Sequence, residues 1–301
     1  RKAGIILPIF VLGYTLPERL EEASSEHISL SVSTFETLEA LSKIKGDLSI
    51  HIKVDTGMHR QGFQTDDLER VISKLISLPK NITIEGLFTH FGAAKNPSMP
   101  SKTLVQIESF EVWIKAFREN NFTPIIHAAA SGGALIFPQS HFDLVRLGIS
   151  TYGIWPSAQA KGFGEKDVPL QPVLSWKTII GEVKDVKMGE SVGYDFTEIL
   201  TRDSRLAVCP VGYWHGLPRA VSSVGHLLVH GQRARIVGRV SMDMVVIDVT
   251  NIFKAKVGDV VTIIGRDGKE EVSAEEIAIL SDTSAYEILT RINPLIKRVF
   301  V

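Results

Sequence analysis

Cysteine is nearly missing from this chain. Cys209 is the only one in 301 residues, which excludes an internal disulfide and a cysteine-rich zinc site. A surplus of either charge is missing too. Lys and Arg number 33 against 34 Asp and Glu, so no bulk basic field exists to attract nucleic acid. No apolar run reaches the roughly 18 residues that a membrane span needs. The best run near the start, Ile5–Gly13, is broken by Pro8 and lacks the cleavage pattern of a signal peptide. No Gly-x-Gly-x-x-Gly follows the first strand-like run, which removes the usual dinucleotide fingerprint. These absences leave a cytoplasmic globular chain with no nucleic-acid or membrane partner in this segment. Hydrophobic content of 44% with 22% charged residues suits a folded core. The length allows two domains, or one large barrel with an appendage.

Periodicity then supplies an organisation. Strand-like runs at Ile5–Leu12, Ile28–Val32, Leu48–Val54, Ile82–Phe88, Pro124–Ala128 and Phe142–Leu147 alternate with helix-like stretches. The helices are Leu16–Ser25, Thr34–Lys45, Asp66–Ser77, Ser101–Asn120 and a short one near Gly133–Phe137, with Thr34 and Ser101 as N-caps. Repeated βα units imply a parallel sheet with right-handed crossovers. Six strands fall short of the eight in a TIM barrel. Two further βα units would add roughly 60–70 residues, so the chain reads as a (β/α)8 TIM-type barrel lacking its first strands. The alternative is an open sheet. Gly153–Pro172 reads as a linker, and the short runs after it, separated by turns such as Val257-Gly-Asp259, read as a mostly antiparallel β domain. The expected division is a barrel domain over residues 1–168 and a β domain over 169–301.

Polar side chains gather at the predicted strand ends: Thr56 to Arg60, His90, His127, Ser131 and Arg146. In a barrel that rim is the active-site face, and phosphate is often bound after the last two strands. With two strands added in front, Ser131 follows the seventh strand and Gly148–Ile149 the eighth. A hydroxyl and glycine-flanked backbone N–H groups suit a phosphate.

Six segments occur in one order along nearly the whole chain: Asp55-Thr-Gly-Met-His-Arg-Gln-Gly62, Thr89-His-Phe91, His127-Ala-Ala-Ala-Ser131, Arg146-Leu-Gly-Ile-Ser-Thr-Tyr-Gly153, Gly212-Tyr-Trp-His-Gly216 and Val237-Gly-Arg-Val-Ser-Met-Asp243. This ordered set resembles alanine racemase, a pyridoxal-phosphate (PLP) enzyme of fold type III. The resemblance implies that Ser131, Gly148 and Ile149 hold the cofactor phosphate and that His90 lines its ring. Arg146 would face the pyridine nitrogen, which it can only meet as a donor. Racemisation needs proton carriers on opposite faces of the substrate carbon. The family uses the Schiff-base lysine and a tyrosine from the partner subunit of a homodimer, so each active site is shared. Tyr213 is the tyrosine matched here, with His127 and Arg146 as its supporting chain. Arg60 and Met242 match substrate contacts, and Lys53 occupies a position that can be carbamylated in related enzymes. Taken singly, Arg146 could form a rim ion pair, His127 a satisfied core histidine, Tyr213 a packed strand-end aromatic and Lys53 a plain strand lysine.

Departures from the pattern carry weight as well. Ala130 stands where asparagine is common, and Trp214-His215 replaces Ala-Asp beside Tyr213. Pro294 stands where some members place a phosphate-contacting tyrosine. No Lys-x-Asn-Ala-Tyr-Gly-His-Gly-like segment is present, so the chain is expected to be an N-terminally truncated racemase without its PLP lysine. The expected activity is interconversion of L- and D-alanine for peptidoglycan. A serine or broad-specificity racemase, a fold-related decarboxylase and a catalytically inactive PLP-fold subunit are the alternatives.

Overall fold

The computed structural model describes all 301 residues, which divide into two compact units. The first comprises Arg1–Ser150 and Gln159–Pro169; the second comprises Thr151–Ala158 and Leu170–Val301.

The first unit is built on one curled parallel sheet, a half-barrel. Its strands are β1 (Ile9–Val11), β2 (Ile28–Val32), β3 (Leu48–Lys53), β4 (Ile82–Phe88), β5 (Ile125–Ala130) and β6 (Leu144–Arg146). Each pairs with its neighbour in chain order. The crossovers are α1 (Leu20–Ser25), α2 (Phe35–Leu41), α3 (Leu68–Ile76), α4 (Pro100–Glu119) and α5 (Ser131–Ile136). Thr34 caps α2 as expected, its Oγ1 accepting from Thr37 N at 3.2 Å. Ser101 does not cap α4. The helix begins at Pro100, whose fixed φ and missing N–H suit the first turn, and no side chain caps it.

Strand alternation separates two environments. On β3, Leu48, Ile50 and Ile52 join the core that also holds Phe110, Trp113 and Phe117 of α4. The intervening His51 and Lys53 are nevertheless only 6% exposed. They lie on the sheet's other face, where His51 stacks on Phe10 at 4.0 Å between ring centroids and His127 stacks on Phe88 at 4.8 Å. This inner face is a polar and aromatic column in place of an aliphatic barrel core.

Within the stretch expected to be linker, Ala158–Gly164 forms the helix α6, which belongs in part to each unit. The Ala-Gln-Ala-Lys run has good helix propensity and Lys161 pairs with Glu165 one turn on. The expected antiparallel β organisation then follows. Strands β7 (Trp176–Ile179), β8 (Glu182–Val186), β9 (Ser191–Val192), β10 (Glu198–Ile199), β11 (Ser204–Cys209), β12 (His226–Val229), β13 (Gln232–Arg235), β14 (Val245–Asp248), β15 (Val260–Asp267) and β16 (Glu270–Val272) form three small sheets. Helices α7 (Ala274–Leu280) and α8 (Ala285–Arg291) follow. No helix of the chain is long and apolar enough to cross a membrane.

Candidate active site

Because β1–β6 are parallel, their C-terminal ends share one rim, and the rim is where the chemistry-bearing side chains collect. After β3 the chain makes a loop built on one carboxylate. Asp55 Oδ1 accepts from the N–H groups of Gly57, Met58 and His59 at 2.9, 2.9 and 3.0 Å, and Oδ2 from that of Arg60 at 3.0 Å. Burial opposes the charge, but these four donors hold the carboxyl below the usual aspartate range. Gly62 closes the loop at φ +132°, and a Cβ there would lie 2.6 Å from Asp55 N. The loop presents Arg60, and one small recess is lined by Arg60, Lys53 and His90 together with Asp55, Met58 and Gln61.

The cations here have few counter-charges. Lys53 Nζ donates to Gln61 Oε1 at 3.0 Å, and Gln61 in turn donates to Ser33 Oγ. Burial, and next the charges of Arg60 and Arg146, pull the Lys53 ammonium below its ordinary value. His90 is pushed down to about 4, by burial first and then by Arg146 and Arg60. A neutral imidazole beside three cations is the expected state at neutral pH.

Arg146 ends β6. Nη1 donates to His127 Nδ1 at 2.7 Å, and Nη2 donates to Thr89 O and Ala128 O, each at 2.8 Å. Nη2 also lies 3.4 Å from His90 Nδ1. Burial lowers the guanidinium to about 10, so it remains charged at neutral pH. No carboxylate pairs with it, so the rim ion pair is not what the fold builds. Five donors minus these contacts leave Nε and one Nη1 hydrogen to meet an acceptor. His127, at 1% exposure, has spent both ring nitrogens, Nδ1 on Arg146 and Nε2 on His51 at 2.8 Å. It therefore acts behind Arg146 as a positioning residue and has no ring atom left for a tyrosine. His90 is the histidine with a ring nitrogen to spare.

Ser131 follows β5, one residue beyond Ala130, which is the ladder partner of Arg146. Its Oγ accepts from Gly148 N at 3.0 Å and Ser150 N at 3.3 Å, which leaves its own hydrogen to donate. A Cβ on Gly148 would meet nothing closer than that same Oγ at 3.9 Å, so the glycine leaves open space. Nearby, Ser150 Oγ is buried with no hydrogen-bond partner. The Ser131 hydroxyl hydrogen and the orphaned Ser150 hydroxyl suit an anionic oxygen, with space left at Gly148. Together with the unspent donors of Arg146, these groups are of the kind that PLP needs. Ile149 is buried, so only its backbone can contribute.

In the second unit, Gly238–Met244 forms the hub of an exposed patch. Tyr213 N donates to Ser241 O at 3.0 Å and Trp214 N to Met242 O at 2.8 Å. Gly212 permits this approach, since a Cβ would sit 2.2 Å from Ser241 O. His215 Nδ1 accepts from Gly212 N–H at 3.2 Å. A second tyrosine, overlooked in the sequence, rises from the same hub. Tyr194 lies in a strained turn with Gly193, Asp195 and Phe196 at φ +80°, +58° and +52°, held by the Asp195–Arg239 ion pair. Tyr194 is 68% exposed and Tyr213 45%, and Phe196, Trp214, Met242 and Met244 are exposed as well. The available signal was Gly193-Tyr-Asp195, a glycine-led polar turn inside a β-rich segment.

Two family models match, "Alanine racemase, N-terminal domain" over residues 1–156 and "Alanine racemase, C-terminal domain" over residues 173–300. The chain belongs to the alanine racemase family. It is 38% identical over 304 residues to an alanine racemase of Leptospira interrogans serovar Lai, a match that covers 98% of this chain and 77% of that protein. The alanine racemase of Methanococcus maripaludis is 36% identical across all of this chain and 81% of its own length. Among solved structures, the alanine racemase from Streptomyces coelicolor superposes with a TM-score of 0.92 at 30% identity, covering 100% of this chain and 80% of that one. One from Bacillus anthracis with bound L-Ala-P gives 0.89 at 32% identity, covering 97% and 75%.

Proposed function

We propose that these residues serve PLP-dependent interconversion of L- and D-alanine, supplying D-alanine for peptidoglycan, at an active site shared by two copies. The observation that carries this reading is the rim itself. Arg146, with two unspent donors, stands on the same rim as the Ser131–Gly148 cradle, beside a cationic recess of Lys53, Arg60 and His90. Bound PLP supplies an electron sink that makes the substrate Cα–H acidic. Ser131, Gly148 and the Ile149 backbone would hold its phosphate, and Arg146 would donate to its ring nitrogen without being able to surrender a proton to it. Arg60 receives the substrate carboxylate, the Met242 backbone is the other matched substrate contact, and His90 lines the ring. One face of the substrate carbon is served by a phenol from the partner's β unit. The motif match nominates Tyr213, whereas exposure and turn strain favour Tyr194. The other face belongs to a lysine whose family motif these 301 residues do not contain.

The deciding experiment is D-alanine formation from L-alanine with added PLP, by the protein translated from its whole coding sequence. Turnover of alanine well above serine is expected. Faster serine turnover would favour a serine racemase, and no turnover the inactive-subunit alternative. Lys53 is proposed as a carbamylation site, because a buried lysine with a lowered pKa has more of the free amine that reacts with carbon dioxide. A carbamate resonance in the 13C spectrum of protein incubated with labelled bicarbonate is expected, and it should disappear in Lys53→Arg. An unchanged spectrum would remove this role.

A further inference from the structure

The inner column of the half-barrel continues behind Arg146 to a carboxylate. Where β3 and β4 pair, Ile50 faces Ile84 but the next residue, His51, faces Gly86, so Glu85 is the extra residue of a β-bulge. Bulges re-aim a side chain next to functional sites. Here the bulge brings Glu85 Oε2 to 3.3 Å from His51 Nε2, and Ser29 Oγ donates to the same oxygen at 2.6 Å. The glycine after the bulge makes room for the imidazole, since a Cβ on Gly86 would lie 1.9 Å from His51 Nδ1.

The proton positions along this column have one solution. A guanidinium can only donate, so His127 Nδ1 is bare. His127 Nε2 then carries the hydrogen and donates to His51 Nδ1, which must be bare as well. His51 Nε2 is left to donate to Glu85. Both rings are neutral, with N–H ends toward the carboxylate and lone pairs toward Arg146.

We infer that Glu85 and His51 are positioning residues for Arg146: the bulge-borne carboxylate fixes both histidine tautomers and thereby the acceptor that holds the guanidinium. The inference rests on Arg146 meeting the cofactor ring nitrogen as proposed above. Without an acceptor at residue 85, His51 gains by moving its hydrogen to Nδ1. His127 must then carry its hydrogen on Nδ1, where it faces an N–H of Arg146. The guanidinium loses its best-oriented neutral acceptor and is displaced.

The test reads tautomers and kinetics separately. Imidazole 15N–1H correlation spectra of this chain should show His51 and His127 protonated at Nε2 and bare at Nδ1. Glu85→Gln should keep that pattern, because the amide oxygen still accepts, and should retain at least about half of wild-type kcat in the protein from the whole coding sequence. Glu85→Leu should move His51 toward the Nδ1-protonated form. It should also lower kcat about tenfold while KM for alanine stays within about twofold, a size expected for slight misplacement of a catalytic group. A wild-type His127 protonated at Nδ1, or a Glu85→Leu protein with unchanged spectra and kcat, overturns the relay. If Glu85→Leu does not fold, the wild-type and Glu85→Gln spectra still decide. The predicted tautomers in a wild-type protein without racemase activity would uphold the relay and strike only the functional reading.

Discussion

Tyr194→Phe is expected to lower racemisation by about 10²–10⁴-fold, the range lost when a positioned general acid–base is removed. Tyr213→Phe is expected to cost about tenfold or less. The two phenols rise from one hub, the Gly238–Met244 segment, so either could be presented to the partner's rim. They differ in how the backbone holds them. Tyr213 opens a short turn tied to Ser241 and Met242 and closed by Gly216 at φ +109°. A Cβ on Gly212 would lie 2.2 Å from Ser241 O and one on Gly216 2.6 Å from Arg291 O, so glycines meet the demands of that turn. Tyr194 precedes Asp195 and Phe196, which occupy the left-handed region, a conformation that costs stability and persists only when the surroundings impose it. Strain of that kind is easier to understand beside the residue that does the chemistry. If Tyr213→Phe is the more damaged enzyme, the motif-based assignment stands and the strained turn needs another explanation. The same variants test sharing of the site between subunits. Mixing Tyr194→Phe protein with Arg146→Leu protein, both from the whole coding sequence, should restore activity in mixed dimers, where one barrel and one β unit are intact. A mixture no more active than its parts would mean that each subunit works alone.

The sequence disclosed the parallel βα order, the antiparallel second unit and the rim residues because each leaves a local trace. β-branched runs of five to seven residues mark strands such as Ile82–Phe88, and the glycines around Asp55 and Arg60 mark a loop with demanding backbone angles. The misreadings have local causes too. Ser101 looked like a cap because Pro100, which occupies the first turn itself, was not weighed. The helix Ala158–Gly164 hid among glycines and prolines. What could not be read was long-range. His51 alternates correctly for a strand, and nothing nearby tells that His127, 76 residues later, meets its ring. A bulge that depends on the register of two strands leaves even less trace, so nothing in the apolar run Ile82–Phe88 points to Glu85. The role of His127 changed for the same reason: whether a histidine has a nitrogen free depends on what lies behind it.

Acid should destabilise the first unit well above the pH at which its carboxylates titrate. His127 is held neutral, its value pushed down to about 2 by burial first and then by the charge of Arg146, and His90 down to about 4. His51 is lowered too, burial again being the largest cause. In the unfolded chain these imidazoles titrate near 6.5. Below that pH the unfolded state therefore binds more protons than the folded one, so stability falls as pH drops from about 6.5 toward about 4 and is fully present above 6.5. Each histidine held neutral contributes a slope of about 1.4 kcal/mol per pH unit inside the window. The partly exposed His90 gives less than the fully buried His127. Asp55 acts in a different range. Its lowered value makes its contribution present above the ordinary aspartate pKa and lost only as pH falls through the folded one, below about 4. Urea unfolding at pH 7.5, 6 and 5 separates the two effects. A loss of roughly 2 kcal/mol or more between pH 6 and pH 5 is expected, and a flat stability over that interval would mean that the column takes up protons while folded. That second outcome would also break the bond between His127 and Arg146, because a doubly protonated imidazole cannot accept from a guanidinium.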